Sequence, residues 1–360
     1  MGSNSTYKLQ DITDDARRWA DCAPALSTGG SSDQPALSIA TDVITAMVQG
    51  GPDGQLMNWK WNRLFPTPFN TITYQQDYAS NTINLAWIER AWMVDINSTM
   101  NPKRQVQIEV RRELEESYLP GSWQAKICWL PNNQLKYGQW GQTQIASQFG
   151  LVNPGPGVVY TNPVGVAGQT PVNPTTQVFD PATGTYWMLT TYGTCGNTVP
   201  SWSSNPTFPT VANPSATATT VNDGTCVWTA VNPNGMGFRV SPVPSQSSVV
   251  WQIYVIGQKF PVKFTSLGQS LDPLPDLYVS YFKAGFFAMC HSRNPDEKVR
   301  NKYLQEYSQW LKSLDLAAKA GQREPDDFGF YPERSIMDAG ASFINFGAAW
   351  PYPGSPWGGF

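Results

Sequence analysis

Residues 340 to 360 carry no charged side chain and six aromatic ones: Phe343, Phe346, Trp350, Tyr352, Trp357 and Phe360. Pro351, Pro353, Gly354, Pro356, Gly358 and Gly359 interrupt the segment, so it cannot coil into an amphipathic helix. Left in water it would expose more apolar surface than a soluble monomer tolerates. Disordered tails are polar and charged instead. The physical expectation is an extended C-terminal arm, residues 321–360, whose six aromatics bind another protein chain.

With 360 residues the chain has enough length for two modest domains and a sizeable core. Its net charge of -3 offers no general basic surface for gripping nucleic acid. No apolar run is long enough to span a bilayer, and the polar first ten residues lack the apolar core of a secretory signal. The five cysteines, Cys22, Cys128, Cys195, Cys226 and Cys290, are dispersed without a C-x-x-C pair. Such a set reads as small buried thiols of a reducing compartment, with a Cys195–Cys226 disulfide the less favoured alternative.

His291 is the only histidine, and it reads as a helix-end residue rather than a base or ligand. Neither zinc spacing, a phosphate loop, a dinucleotide fingerprint nor a nucleophile elbow is present. The acidic cluster Glu113, Glu115 and Glu116 lacks the opposed carboxylate that glycoside hydrolysis needs. The expectation is therefore no catalytic, cofactor-binding or metal-binding residue.

Local patterning gives helices at both ends and strands between them. A short helix is expected over 11–23. A second runs from Gln34 to Gln49, capped by Asp33 and stopped at Gly50-Gly51-Pro52. Strands are expected at 83–95, at 104–112 where Val106, Ile108 and Val110 alternate with polar residues, and at 125–130, 185–191, 226–231 and 249–256. Between Leu151 and Gly235 the 85 residues include eleven prolines, nine glycines and only two charges, Asp180 and Asp223, which suggests an inserted β module. Asp276 is placed to cap a helix reaching His291. Asn294 and Pro295 are placed to open another, whose stripe Val299, Tyr303, Tyr307, Trp310, Leu314 and Ala317 covers about five turns.

The expected fold is α+β. A helical bundle (1–68 with 270–320) packs the two ends together, and a β region (69–150 with 236–269) loops out between them. A small β-sandwich-like module (151–235) is inserted, and the arm follows.

In its order of elements the chain resembles the head-to-tail connectors, or adaptors, of tailed bacteriophages, in particular the tail tubular protein A group. The resemblance rests on Trp59, Trp61 and Phe65 followed by Tyr74-Gln75-Gln76-Asp77-Tyr78, and on Leu271-Asp272-Pro273-Leu274-Pro275-Asp276 opening the closing helices. The insert is similar to a β module of phage virion proteins through Tyr192-Gly193-Thr194, Gly196, Pro200-Ser201-Trp202, Asp223-Gly224-Thr225 and Trp228. The insert and the apolar arm depart from the compact connectors.

This resemblance implies a non-enzymatic virion subunit at the head–tail junction, assembled in the host cytoplasm. It implies a cyclic homo-oligomer, expected to be a dodecamer, that binds the portal protein and the tail nozzle protein. DNA would pass through its channel without specific binding, and no membrane is involved. Fifteen tryptophans suit large heterologous interfaces, and the mixed charges around Lys103-Arg104 and Arg111-Arg112 read as a solvated face. The alternative is a carbohydrate-binding or host-recognition virion protein that stacks sugars on Trp187, Trp202 and Trp228. Those rings read first as the core of the module.

Overall fold

The computed structural model describes residues 5–27, 33–50, 57–72, 75–96, 105–111, 125–142, 153–160, 177–241 and 250–323. It is mixed α+β, with several helices and a sheet curled into a half-barrel. The described residues divide into two compact units, one formed by 5–63 with 258–323 and the other by 64–257.

The first unit contains α1 (Leu9–Arg17), α2 (Ala23–Ser27), α3 (Gln34–Gln49), α4 (Val279–Ser292), α5 (Glu297–Lys302) and α6 (Glu306–Arg323). Ile39, Val43 and Met47 of α3 share one core with Phe282 and Phe286 of α4 and with Trp310 and Leu314 of α6. Trp59 is buried in the same core, where its indole N–H donates to the Met47 carbonyl at 2.6 Å. Gly285 lets α6 approach α4: a Cβ there would lie 2.2 Å from Trp310 Cζ2. Beside the helices, Leu9 N–H donates to the Gln269 carbonyl and Leu271 N–H to the Tyr7 carbonyl, joining two distant segments by main-chain bonds.

Several local expectations are corrected here. The helix expected over 11–23 begins at Leu9, stops at Arg17, and is followed by α2. Asp33 makes no side-chain cap bond, and its carboxylate instead faces Arg17 at 3.5 Å. Asp276 is the first residue of a 3-10 turn, and its carboxylate accepts from Ser5 and Thr6. The cap of α5 is Asp296, which accepts from Lys298 N–H, while Asn294 accepts from Asp296 N–H. The single five-turn helix is two helices, because the chain breaks at Tyr303, whose ring stacks on His291 at 3.8 Å. That contact lies outside the reach of sequence periodicity.

The second unit carries two sheets. Its strands are β1 (Arg63–Leu64), β2 (Phe69–Asn70), β3 (Asp77–Thr82), β4 (Leu85–Asp95), β5 (Gln105–Val110), β6 (Lys126–Pro131), β7 (Gln177–Asp180), β8 (Thr185–Thr191), β9 (Thr220–Asp223), β10 (Cys226–Val231), β11 (Met236–Ser241) and β12 (Trp251–Lys259). The larger sheet runs β1-β12-β4-β5-β6-β11-β3, with β2 also paired to β12. In it β5–β6 is parallel, whereas β4–β5, β6–β11 and β11–β3 are antiparallel. Leu85, Ile88, Ile108, Ile127, Phe238 and Ile253 make its core.

The β3–β11 register is held by a buried ion pair between directly opposed residues. Arg239 Nε and Nη2 donate to Asp77 Oδ1 and Oδ2 at 2.7 and 2.8 Å, and Lys136 N–H donates to Oδ2 at 2.8 Å. A slip of one residue would turn both charges toward the other face.

The smaller sheet, β7-β8-β10-β9, packs around Val178, Trp187, Leu189 and Trp228. The only two charges of the 151–235 stretch are internal acceptors. Asp223 takes hydrogen bonds from the indoles of Trp140 and Trp228 and from Gly196 N–H, while Asp180 takes them from Thr183 in the turn before β8. Gly224 follows Asp223 at φ +62°, and a Cβ there would lie 2.3 Å from the Thr194 carbonyl oxygen. This requirement explains the Asp-Gly-Thr sequence at the β9–β10 hairpin.

Candidate docking surface

The arm aromatics Phe343, Phe346, Trp350, Tyr352, Trp357 and Phe360 lie outside the described residues, as does the arm from 324 onward. Within the second unit, however, the β sheet presents a surface suited to apolar chain. A groove of about 450 Å³ lies between residues 64–69 and 79–83, with Met188 of β8 at its wall. The size falls in the range, about 300–1,000 Å³, of sites that hold ligands or side chains.

Its local chemistry follows from Leu64-Phe65-Pro66-Thr67-Pro68-Phe69. Pro66 and Pro68 have no N–H to give a ladder, so β1 and β2 stay two residues long. Phe69 turns inward and stacks on Phe238 at 5.3 Å, with Tyr78 at 4.8 Å. Phe65 points to solvent with 67% of its surface exposed. On the opposite wall β3 ends its sheet. Ala79 N–H donates to Gln177 Oε1 and Ser80 N–H to Asn132 Oδ1, so side chains satisfy these main-chain groups. The hydroxyls of Ser80 and Thr82 bond to each other at 2.6 Å, and Asn81 donates to the Ala230 carbonyl. Among the described residues no charged side chain lines the groove.

His291 occupies the helix end expected of it. It stands in the last turn of α4 but is buried, with Cys22 Sγ 3.2 Å from Nε2 and Glu306 Oε2 2.5 Å from Nδ1. The thiol of Cys290 donates to Cys22, which lowers the Cys22 pKa. That bond and burial push Cys290 upward. A thiol–imidazole–carboxylate chain is the order used by activated nucleophiles. Here both sulfurs are buried, at 1% and 0% exposure, and the chain links the segment before α2 to α4 and α6 as a packing tie. Sequence reasoning missed it because its members lie 15 to 269 positions apart.

All five cysteines are free and buried, so Cys195 and Cys226 stand as neighbouring thiols and not as a disulfide. Burial raises both. Trp187 and Trp228 are fully buried, and Trp202 packs against them at 5.1 and 6.1 Å. Neither buried ring offers a face to a sugar. Arg111 pairs with Glu109 at 2.5 Å on the surface, while Lys103, Arg104, Arg112, Glu113, Glu115 and Glu116 lie outside the described residues. Among the described residues no group of three or more His, Cys, Asp or Glu is placed to hold a metal ion, and no helix is long and apolar enough to cross a membrane.

Comparison of the chain with protein-family models, with curated proteins and with solved structures finds no match in any of the three.

Proposed function

We propose that this protein is a structural subunit of a multi-chain ring, a virion adaptor that joins a phage portal to the tail and encloses part of the DNA channel. The observation that carries the reading is the uncharged, aromatic 340–360 segment, whose apolar surface needs another chain to cover it. The charge-free groove beside Phe65 is a second apolar surface of the same kind.

In this reading the helices of both chain ends form one bundle that serves as a rigid platform, supported by their shared core. The residues that follow α6, 324–360, serve as the extended arm. A ring of identical subunits needs a heterologous interface, in which one patch meets a different patch on the next copy, and an arm meeting a groove has that form. The net charge of -3 suits a channel that lets DNA slide, since tight phosphate binding depends on clustered Lys and Arg.

Native mass spectrometry and negative-stain imaging of the full chain, alone and with a portal ring, test the proposal. A closed homo-oligomer that captures the portal is expected. A monomer at all concentrations that ignores the portal would reject it.

A further inference from the structure

We propose that the groove between residues 64–69 and 79–83 receives the Trp350–Trp357 segment of a neighbouring copy of this chain. The inference deepens the ring reading and rests on it, since an arm seated in a neighbour's groove would form its subunit contact.

Four observations support the pairing. First, the segment Trp350-Pro351-Tyr352-Pro353-Gly354-Ser355-Pro356-Trp357 places prolines at 351, 353 and 356, with Pro353 and Pro356 in P-x-x-P spacing. Such sequences adopt an extended polyproline II form before binding and lose little entropy on docking. Second, the groove is walled by Phe65, Pro66, Pro68 and Phe69. Aromatic-lined grooves of this composition recognise polyproline II segments by packing prolines between rings. Third, neither surface carries a charge, so docking strands no ion in an apolar contact. Fourth, Asn81 of β3 donates to the Ala230 carbonyl and accepts from Asn232 N–H, so that wall already has neighbours and favours side-chain packing over ladder extension. Seventeen positions separate Arg323 at the end of α6 from Gly340. Extended at about 3.3 Å per residue they could reach about 55 Å from the end of α6.

Phe65 and the two tryptophans are the expected anchors, because aromatic residues dominate contacts of this kind. Phe65 is exposed, so its replacement is expected to leave the fold undisturbed.

The test is photo-cross-linking in the full chain. Phe65 is replaced by p-benzoylphenylalanine, and equal amounts of isotopically heavy and light protein are mixed during assembly. Val211, exposed elsewhere on the second unit, carries the same probe as a control. Mass spectrometry is expected to find Phe65 cross-links to residues 350–357, joining heavy to light chains, with none from Val211. Trp350→Ala together with Trp357→Ala should reduce the yield about tenfold or more. Cross-links confined to chains of one label, or mapping only outside 350–357, or absent altogether, would overturn the inference. Oligomer size measured on the same sample separates the two proposals: closed rings without those cross-links leave the ring reading standing and remove the docking assignment.

Discussion

Removing one member of the buried Asp77–Arg239 pair is expected to cost the second unit a large fraction of its stability. The Asp77 and Arg239 side chains are 2% and 6% exposed, and they share two short hydrogen bonds. Arg239→Met preserves most of the stem volume but leaves a carboxylate in the protein interior with Lys136 N–H as its remaining bond among those described above. Breaking such a pair on one side costs about 3–5 kcal/mol, because the surviving charge is neither solvated nor matched. For a unit of this size a loss of that order lowers the melting midpoint by about 6–20 °C.

The double variant Asp77→Asn with Arg239→Met carries no stranded charge and keeps an acceptor for Lys136 N–H, so it should recover more than half of the loss. Urea unfolding followed by tryptophan fluorescence supplies the four corners of the double-mutant cycle. High salt should leave the coupling nearly unchanged, since a buried pair is little screened. A single-variant loss below about 1 kcal/mol, the range of exposed pairs, would refute the reasoning. A double variant no more stable than Arg239→Met would do so as well.

Gly285→Ala should destabilise the first unit by about 1–3 kcal/mol in a thermal melt, although alanine is the better helix former, because its Cβ would overlap Trp310. Gly268→Ala, which meets open space, serves as the neutral comparison. The Asp276 pKa is lowered from 3.8 chiefly by the hydrogen bonds from Thr6. A carboxyl depressed on folding contributes stability above its unfolded value, and that contribution is lost as pH falls through the lower folded value. Protection against hydrogen exchange at Thr6 and Tyr7, relative to the intrinsic rate at each pH, should therefore fall in acid below pH 3.8, and Asp276→Asn should abolish this pH dependence. Finally, the native protein should react with a thiol reagent far more slowly than the urea-unfolded protein, in which all five cysteines are accessible. A fast-reacting native thiol would contradict their burial.

What could be read from the sequence was the local part. The apolar spacing of Leu37, Ala40, Ile44 and Met47 located α3 to the residue, because a helix repeats its buried face every turn. Alternation around Ile108 similarly located β5, and the run from Cys226 to Val231 located β10. The near absence of charge between 151 and 235 marked a separate small core, and the buried Trp187 and Trp228 lie in it.

Tertiary structure decided whatever depends on partners distant in the chain. β3 and β11 show little periodicity of their own, and they are strands because Arg239 meets Asp77 across 162 positions. The helix break at Tyr303 and the burial of His291 come from a stack between two side chains on different elements. The groove was invisible because its walls, Leu64–Phe69 and Ala79–Ile83, become facing surfaces only when the sheet curls. Periodicity reports the face a segment buries; it carries no information about which other segment covers that face, and this is settled only when the whole chain packs.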